Sequence, residues 1–236
     1  MKRFYFLYTF MFLLLMTVSN GSADTIEKVF HNFKAAYEKS ENFSADFEET
    51  TLRAGNKSIA RGRLMFNKPN LLRKEYVSHR DPTQLAQLIV LDGEYSWAYT
   101  PLLSQVNKMK WGRSNRKELW PGLGASLDEA AEKFDMQLVL DEVANPKGIY
   151  RIKLTPKPQM SPGPSTGAPR EIIEIWVRSD AWLPVQFGYQ SESDDEGSIS
   201  VIVALANIQR DIKMDTNLFK FVIPDGAEVI DLSKNE

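Results

Sequence analysis

The sequence predicts a mostly β protein, in which an extensive, strongly curved antiparallel sheet of about ten or eleven strands is accompanied by short helices. Three observations support this fold class. From Asn42 onwards, apolar and polar residues alternate with a period of two, and turns rich in Gly, Pro and Asn separate the short strands. One helical apolar stripe precedes the first strand. Only one other segment, in the middle of the chain, has a helical pattern.

Residues 1–23 have the layout of a secretory signal peptide. Two basic residues precede the apolar run Phe4 to Val18, and small residues lead to a predicted cut after Ala23. A membrane anchor is the alternative, but this run is shorter than the roughly 20 residues that cross a bilayer. We therefore expect a single mature domain at residues 24–236. It has no Cys to receive the acyl chains of a lipoprotein, so a water-soluble protein is expected.

The composition limits the partners of this protein. The net charge is −2, and loss of the leader, which holds two of the 29 basic residues and no acidic ones, would make it −4. A mildly acidic, mixed surface has no electrostatic attraction for nucleic acid. Because the chain has no cysteine, packing alone is expected to hold the fold together.

The first predicted helix begins at a capping-box pattern formed by Asp24 and Glu27. Its apolar residues recur at helical spacing and form one stripe that can pack on a sheet: Ile26, Val29, Phe30, Phe33 and Tyr37. The period then changes to two, and Phe43, Ala45 and Phe47 share one face of the first strand.

Turn signals divide the rest of the chain into strands. Asp92-Gly93 is the strongest hairpin signal, and the aromatic residues that follow it alternate along one face of a strand. Further strands are predicted at residues 72–76, 87–91, 105–110, 136–143, 150–154, 172–178, 185–189 and 199–205, with a closing segment at 218–223. Residues 114–134 are interpreted as short helices broken by Pro and Gly, with a second capping box at Ser126 and Glu129.

The sequence predicts no catalytic residue, metal site or cofactor. His31 and His79 do not belong to a metal-ligand spacing, and neither a nucleophile elbow nor a dinucleotide fingerprint occurs. The acidic run at residues 192–196 does not fit a calcium loop and is interpreted as a solvated turn. The apolar strand faces indicate either an ordinary core or a sheet that encloses an apolar cavity beneath a movable helical cover.

Four segments follow one another in a recognisable order. They are NFSADFEET at residues 42–50, GRLMFNKPNLLR at 62–73, DGEYSWAYTP with a later QV at 92–106, and FKFVIPDG at 219–226. In this order they resemble the motifs of the outer-membrane lipoprotein carrier family LolA, and the similarity extends over residues 26–232. This resemblance favours the cavity over the ordinary core.

The resemblance implies an unclosed antiparallel half-barrel covered by the N-terminal helix and a helical lid. It implies a monomeric, non-enzymatic carrier in the periplasm whose concave face binds the acyl chains of lipoproteins. Such a carrier receives its cargo from an inner-membrane ABC transporter of the LolCDE type and delivers it to an outer-membrane receptor of the LolB type. A glycolipid carrier or a lipid- or stress-sensing protein with the same half-barrel is the alternative. A lipid hydrolase is a third hypothesis, although no nucleophile has a partner.

The resemblance and the strand pattern together predict three groups of site residues. Cavity-lining residues are predicted at Phe47, Leu64, Phe66, Leu72, Tyr76, Trp97, Tyr99 and Val106. Lid residues are predicted at Leu119, Trp120, Leu123 and Leu127. The family commonly has an Arg that latches the lid by hydrogen bonds where this chain has Lys68, and a single ammonium predicts a weaker latch.

Overall fold

The computed structural model describes residues 24–111, 127–158, 170–193 and 197–233, so the predicted signal peptide lies outside the described residues. Helix α1 spans Ile26–Lys39 and helix α2 spans Leu127–Lys133. The strands are β1 Asn42–Arg53, β2 Asn56–Asn67, β3 Leu71–Val77, β4 Leu85–Asp92, β5 Tyr95–Thr100, β6 Gln105–Lys110, β7 Phe134–Val139, β8 Ile149–Pro156, β9 Arg170–Arg178, β10 Leu183–Ser193, β11 Gly197–Arg210 and β12 Glu228–Asp231.

These strands form one sheet in the order β12-β6-β5-β4-β3-β2-β1-β11-β10-β9-β8-β7. Neighbouring strands are antiparallel, except that β12 runs parallel to β6. Because β12 and β7 stand at opposite edges, the sheet is open and has the form of a half-barrel. The predicted fold class is therefore confirmed, and the described residues contain 12 strands where about ten or eleven were expected.

The two faces of the sheet carry different residues because successive side chains along a strand point to opposite sides. Directly paired residues share a face, so the register places Phe47, Leu64 and Leu72 on the same side. We call this side the inner face and the opposite side the outer face. The main hydrophobic core lies on the inner face, where Ile152 of β8 and Ile175 of β9 are almost completely buried.

Helix α1 covers part of the inner face and packs against β7, β8 and β10. Val29 and Phe33 of its apolar stripe are fully buried there. The predicted capping box is wrong, because the N-cap is Thr25, whose hydroxyl accepts a hydrogen bond from the backbone N–H of Lys28. Asp24 instead accepts hydrogen bonds from the Lys28 ammonium and from the Tyr150 hydroxyl, which ties the start of α1 to β8.

A second, smaller apolar layer lies on the outer face. Val90 of β4, Val106 of β6 and Phe219 are buried there, and the ring of Phe221 stacks on Trp97 with centroids 5.3 Å apart. The predicted closing segment at residues 218–223 is not a strand, since the chain forms a 3-10 turn at Thr216–Phe219 and has no strand in the four residues after it. This segment contributes aromatic side chains to the sheet surface instead of a paired backbone.

The second helical region is described only in part. Helix α2 ends at Lys133, and Phe134, which the sequence assigns to the helix, is the first residue of β7 and pairs with Pro156. The Phe134 ring still packs against the main core. An apolar residue at this position fits both a helical stripe and a strand face, which is why the sequence pattern assigns it to the helix. Within the described residues, no helix is long and apolar enough to cross a membrane.

Candidate functional site

A cavity of about 390 Å³ lies on the inner face, over β1–β4 and β10–β11. Its volume is within the range of about 300–1,000 Å³ that is typical of small-molecule sites. Arg53, an exposed residue beside the β1–β2 turn, marks one end of the cavity and indicates an opening towards that turn. The wall is mainly apolar and includes Phe47, Leu64, Leu72, Ile89, Phe187, Tyr189, Ile199, Val201 and Val203.

A glycine shapes one side of this cavity. Gly62 of β2 pairs with Phe47 on one flank and with Tyr76 on the other, so the three residues form one row across the sheet. A Cβ at Gly62 would stand 1.7 Å from the carbonyl oxygen of Glu75 and 2.9 Å from Cε1 of Phe47. With no side chain between them, the rings of Phe47 and Tyr76 meet edge to face, with centroids 5.1 Å apart.

Four of the eight residues predicted to line the cavity border it, and a fifth lies on the same face of the sheet. Phe47, Leu64, Leu72 and Tyr76 all border it. Phe66 lies on the same face, but it borders a separate narrow crevice of about 10 Å³ beside the C-terminal end of α1. The strand parity of β1–β3 therefore places these side chains as the sequence pattern predicts.

The other three predicted lining residues do not belong to this group. Trp97 pairs with Val90, and Tyr99 pairs with Leu88 and Val106. Because paired residues share a face, the three predicted residues Trp97, Tyr99 and Val106 lie on the outer face. Ser96 is the residue of β5 that shares the inner face with Leu91. The aromatic stripe of β5 faces outwards because the segment with Phe219 and Phe221 covers that side and shields the rings from water.

Of the predicted lid residues, the structure describes Leu127 alone. Leu127 is the first residue of α2, is 4% exposed and belongs to the main core. Leu119, Trp120 and Leu123 lie outside the described residues.

Lys68, the residue predicted to act as a latch, contacts the C-terminal end of helix α1. Its ammonium donates to the carbonyl oxygens of Tyr37 at 2.6 Å and Glu38 at 2.9 Å, in the last turn of α1. It also lies 4.8 Å from the centroid of the Tyr37 ring. Burial raises the pKa of the Tyr37 hydroxyl to about 12. Within the described residues, Lys68 is therefore a latch that holds the C-terminal end of α1 on the sheet, whereas its predicted contact with the lid concerns residues that lie largely outside the described ranges and stays a prediction.

Sequence reasoning did not single out a polar cluster within the cavity wall. Lys74 and Glu49 form an ion pair with a distance of 2.6 Å between Nζ and Oε2, and the Tyr76 hydroxyl donates to the same oxygen at 3.0 Å. All three side chains line the cavity. The sequence contains a signal for this cluster. Lys74 is two residues from Leu72 and from Tyr76, and Glu49 is two residues from Phe47, so both charged residues share a strand face with predicted lining residues.

A second, more polar depression of about 450 Å³ lies at β7–β9, beside Arg151, Lys153 and Glu174. No group of three or more His, Cys, Asp or Glu residues in the described ranges could hold a metal ion. Asp24 has a lowered pKa, chiefly because its carboxylate accepts a hydrogen bond from Lys28 and secondarily one from Tyr150, but this group anchors α1. The site is therefore an apolar cavity with one polar cluster.

An open antiparallel half-barrel with an apolar cavity on its inner face defines a protein of the apolar-ligand-binding class. Residues 38–222 match the family described as outer membrane lipoprotein carrier protein LolA. This chain belongs to that family, whose members are binding and carrier proteins.

The chain is also similar to individual proteins. An outer-membrane lipoprotein carrier protein of Glaesserella parasuis is 28% identical over 216 residues, which cover 90% of each chain. An uncharacterized protein of Methanocaldococcus jannaschii is 24% identical over 89% of this chain, which spans about half (54%) of that protein's length. A solved structure of a LolA superfamily protein from Nitrosomonas europaea superposes with a TM-score of 0.42 and 11% identity, over 84% of this chain and 99% of that one.

Proposed function

We propose that this protein is a periplasmic carrier that binds the acyl chains of lipoproteins in the inner-face cavity and moves them towards the outer membrane. It acts as a monomer after loss of residues 1–23. It takes its cargo from an ABC transporter of the LolCDE type and passes it to a receptor of the LolB type. The observation that supports this proposal is the apolar cavity of about 390 Å³ in a chain of the LolA family.

The size of the cavity suits reversible binding. Burial of an acyl chain contributes about 0.8 kcal/mol per methylene, so three chains of about 15 methylenes would gain on the order of 36 kcal/mol. Noncovalent affinities saturate near roughly −18 to −21 kcal/mol, and a carrier that captured the whole gain would not release its cargo. If a methylene occupies about 30 Å³, as a water molecule does, the cavity holds on the order of a dozen methylenes, which is close to one acyl chain. Partial burial keeps handover possible.

A matched pair of substitutions in β11 tests this function. Val201 borders the cavity, whereas the neighbouring Ile202 lies on the outer face and is 36% exposed. Val201→Trp should fill the cavity and weaken binding of a polarity-sensitive apolar dye and of a triacylated lipoprotein by about tenfold or more, since the displaced acyl surface stays in water. Ile202→Trp adds the same ring outside the cavity and should bind both ligands as the wild type does.

The same titrations identify the cargo. Equal binding by the two tryptophan variants would contradict the location of the site. Dye displacement by a glycolipid in preference to the lipoprotein would support the alternative glycolipid carrier. Transfer of a bound lipoprotein from transporter-containing vesicles to acceptor membranes should depend on the wild-type cavity, and failure of this transfer would contradict the carrier role.

A further inference from the structure

The polar cluster of Glu49, Lys74 and Tyr76 belongs to a mainly apolar wall, which also includes Thr51 and, at the end of the cavity, Arg53. The side chains of Lys74 and Glu49 are only 14% and 19% exposed. Withdrawing such a pair from water has a desolvation cost that a purely apolar wall would avoid. Stability alone therefore does not explain why the cavity contains it.

Three groups surround the Lys74 ammonium. Glu49 contributes a carboxylate oxygen at 2.6 Å, and the rings of Phe47 and Tyr76 have their centroids 4.7 Å from Nζ. An ammonium has three N–H donors, and those that face a ring are held less strongly than one that meets an oxygen. A ligand oxygen that enters the cavity can therefore compete for Lys74 without breaking its pair with Glu49.

We propose that this cluster binds the neutral carbonyl end of an acyl ligand, an ester or an amide, and discriminates against free fatty-acid anions. The proposal rests on the acyl-binding function of the cavity and names the ligand chemistry of that site. A carbonyl oxygen accepts a charge-assisted hydrogen bond from Lys74 and leaves the cluster with no net charge.

The discrimination follows from the charge of the cluster. A fatty-acid carboxylate at the same place would bring a second negative charge within a few ångströms of Glu49. In surroundings of low dielectric constant, repulsion between like charges is much stronger than in water. Acyl esters and amides avoid this repulsion, and they are the forms in which acyl chains occur on lipoproteins and glycerolipids.

The test removes the negative charge from the cluster without changing its shape. Monopalmitoylglycerol and palmitate displace an apolar dye from the full-length mature protein at pH 8, where palmitate is ionised. The wild type should prefer the ester by about tenfold. In Glu49→Gln the cluster carries one positive charge, so palmitate should bind about tenfold more tightly than to the wild type and equal or exceed the ester.

Glu174→Gln is the matched control. Glu174 lies on the outer face, is 12% exposed and pairs with Arg151, so this substitution removes the same charge from an ion pair outside the cavity. It should leave the ligand preference at the wild-type value. The double variant Glu49→Gln/Lys74→Met replaces the ion pair by uncharged groups. Because it contains no unpaired ammonium in the cavity, its result does not depend on how well the fold tolerates one. It should bind the ester and palmitate with similar affinity.

The outcomes separate this inference from the proposed function. If dye and ester bind but the ester-to-palmitate ratio is the same in the wild type, Glu49→Gln and the double variant, the polar cluster does not select the ligand. If neither acyl ligand nor lipoprotein displaces dye from the wild type, the cavity is not an acyl site and the proposed function itself fails.

Discussion

The contact between Lys68 and helix α1 supplies a quantitative prediction. Lys68→Met keeps the length of the side chain but removes the ammonium that donates to the Tyr37 and Glu38 carbonyl oxygens. A cation at a helix C-terminus contributes about 0.3–1 kcal/mol, and a cation–π contact at a partly exposed site contributes about 0.5–1 kcal/mol. The variant should therefore lose about 1–2 kcal/mol of the free energy that holds the end of α1 on the sheet, which is roughly a 5- to 30-fold change in its opening equilibrium.

Hydrogen exchange measures this opening directly. The amides of residues 34–39 should exchange about 5 to 30 times faster in Lys68→Met, because the end of α1 leaves the sheet more often. Lys68→Arg retains a charged donor with a planar fork, so these amides should exchange no faster than in the wild type. Lys39→Met removes the same charge from the same helical turn, at an exposed position, and is the control. Equal exchange rates in Lys68→Met and Lys39→Met would refute the latch.

Two further predictions concern stability. Phe219→Ala should lower the free energy of unfolding by about 3–5 kcal/mol in a urea titration, because Phe219 is 1% exposed, whereas Leu218→Ala, at a position 37% exposed, should cost less than about 1 kcal/mol. Dye affinity should be unchanged in folded Phe219→Ala, and a loss of affinity would contradict the separation of the outer layer from the cavity. The raised pKa of Tyr37 means that the unfolded chain releases this proton first, near pH 10, while the folded chain keeps it up to about pH 12. Stability should therefore fall by about 1–2 kcal/mol more in the wild type than in Tyr37→Phe between these pH values, and equal slopes would contradict the burial of the hydroxyl.

Local sequence patterns are sufficient to predict most of the strands and helices and most of the inner face. The period of two and the turn residues indicate the strands because both depend on local backbone geometry. Phe47, Leu64 and Leu72 follow from strand parity once a single apolar face is assumed. The stripe with Val29 and Phe33 likewise predicts the buried side of α1, since it requires only the helical repeat.

The face of β5 that carries its aromatic residues could not be assigned from local patterns, because it depends on contacts with residues far along the chain. Trp97 and Tyr99 are apolar enough to lie on the inner face. They lie on the outer face because Phe219 and Phe221, which are far along the chain, pack there and cover them. The partner of Lys68 was beyond local pattern for the same reason, because α1 and the β2–β3 turn meet only in the folded sheet. The pair of Glu49 and Lys74 joins two strands separated by β2, so its charge balance exists only after the register places both side chains in one cavity.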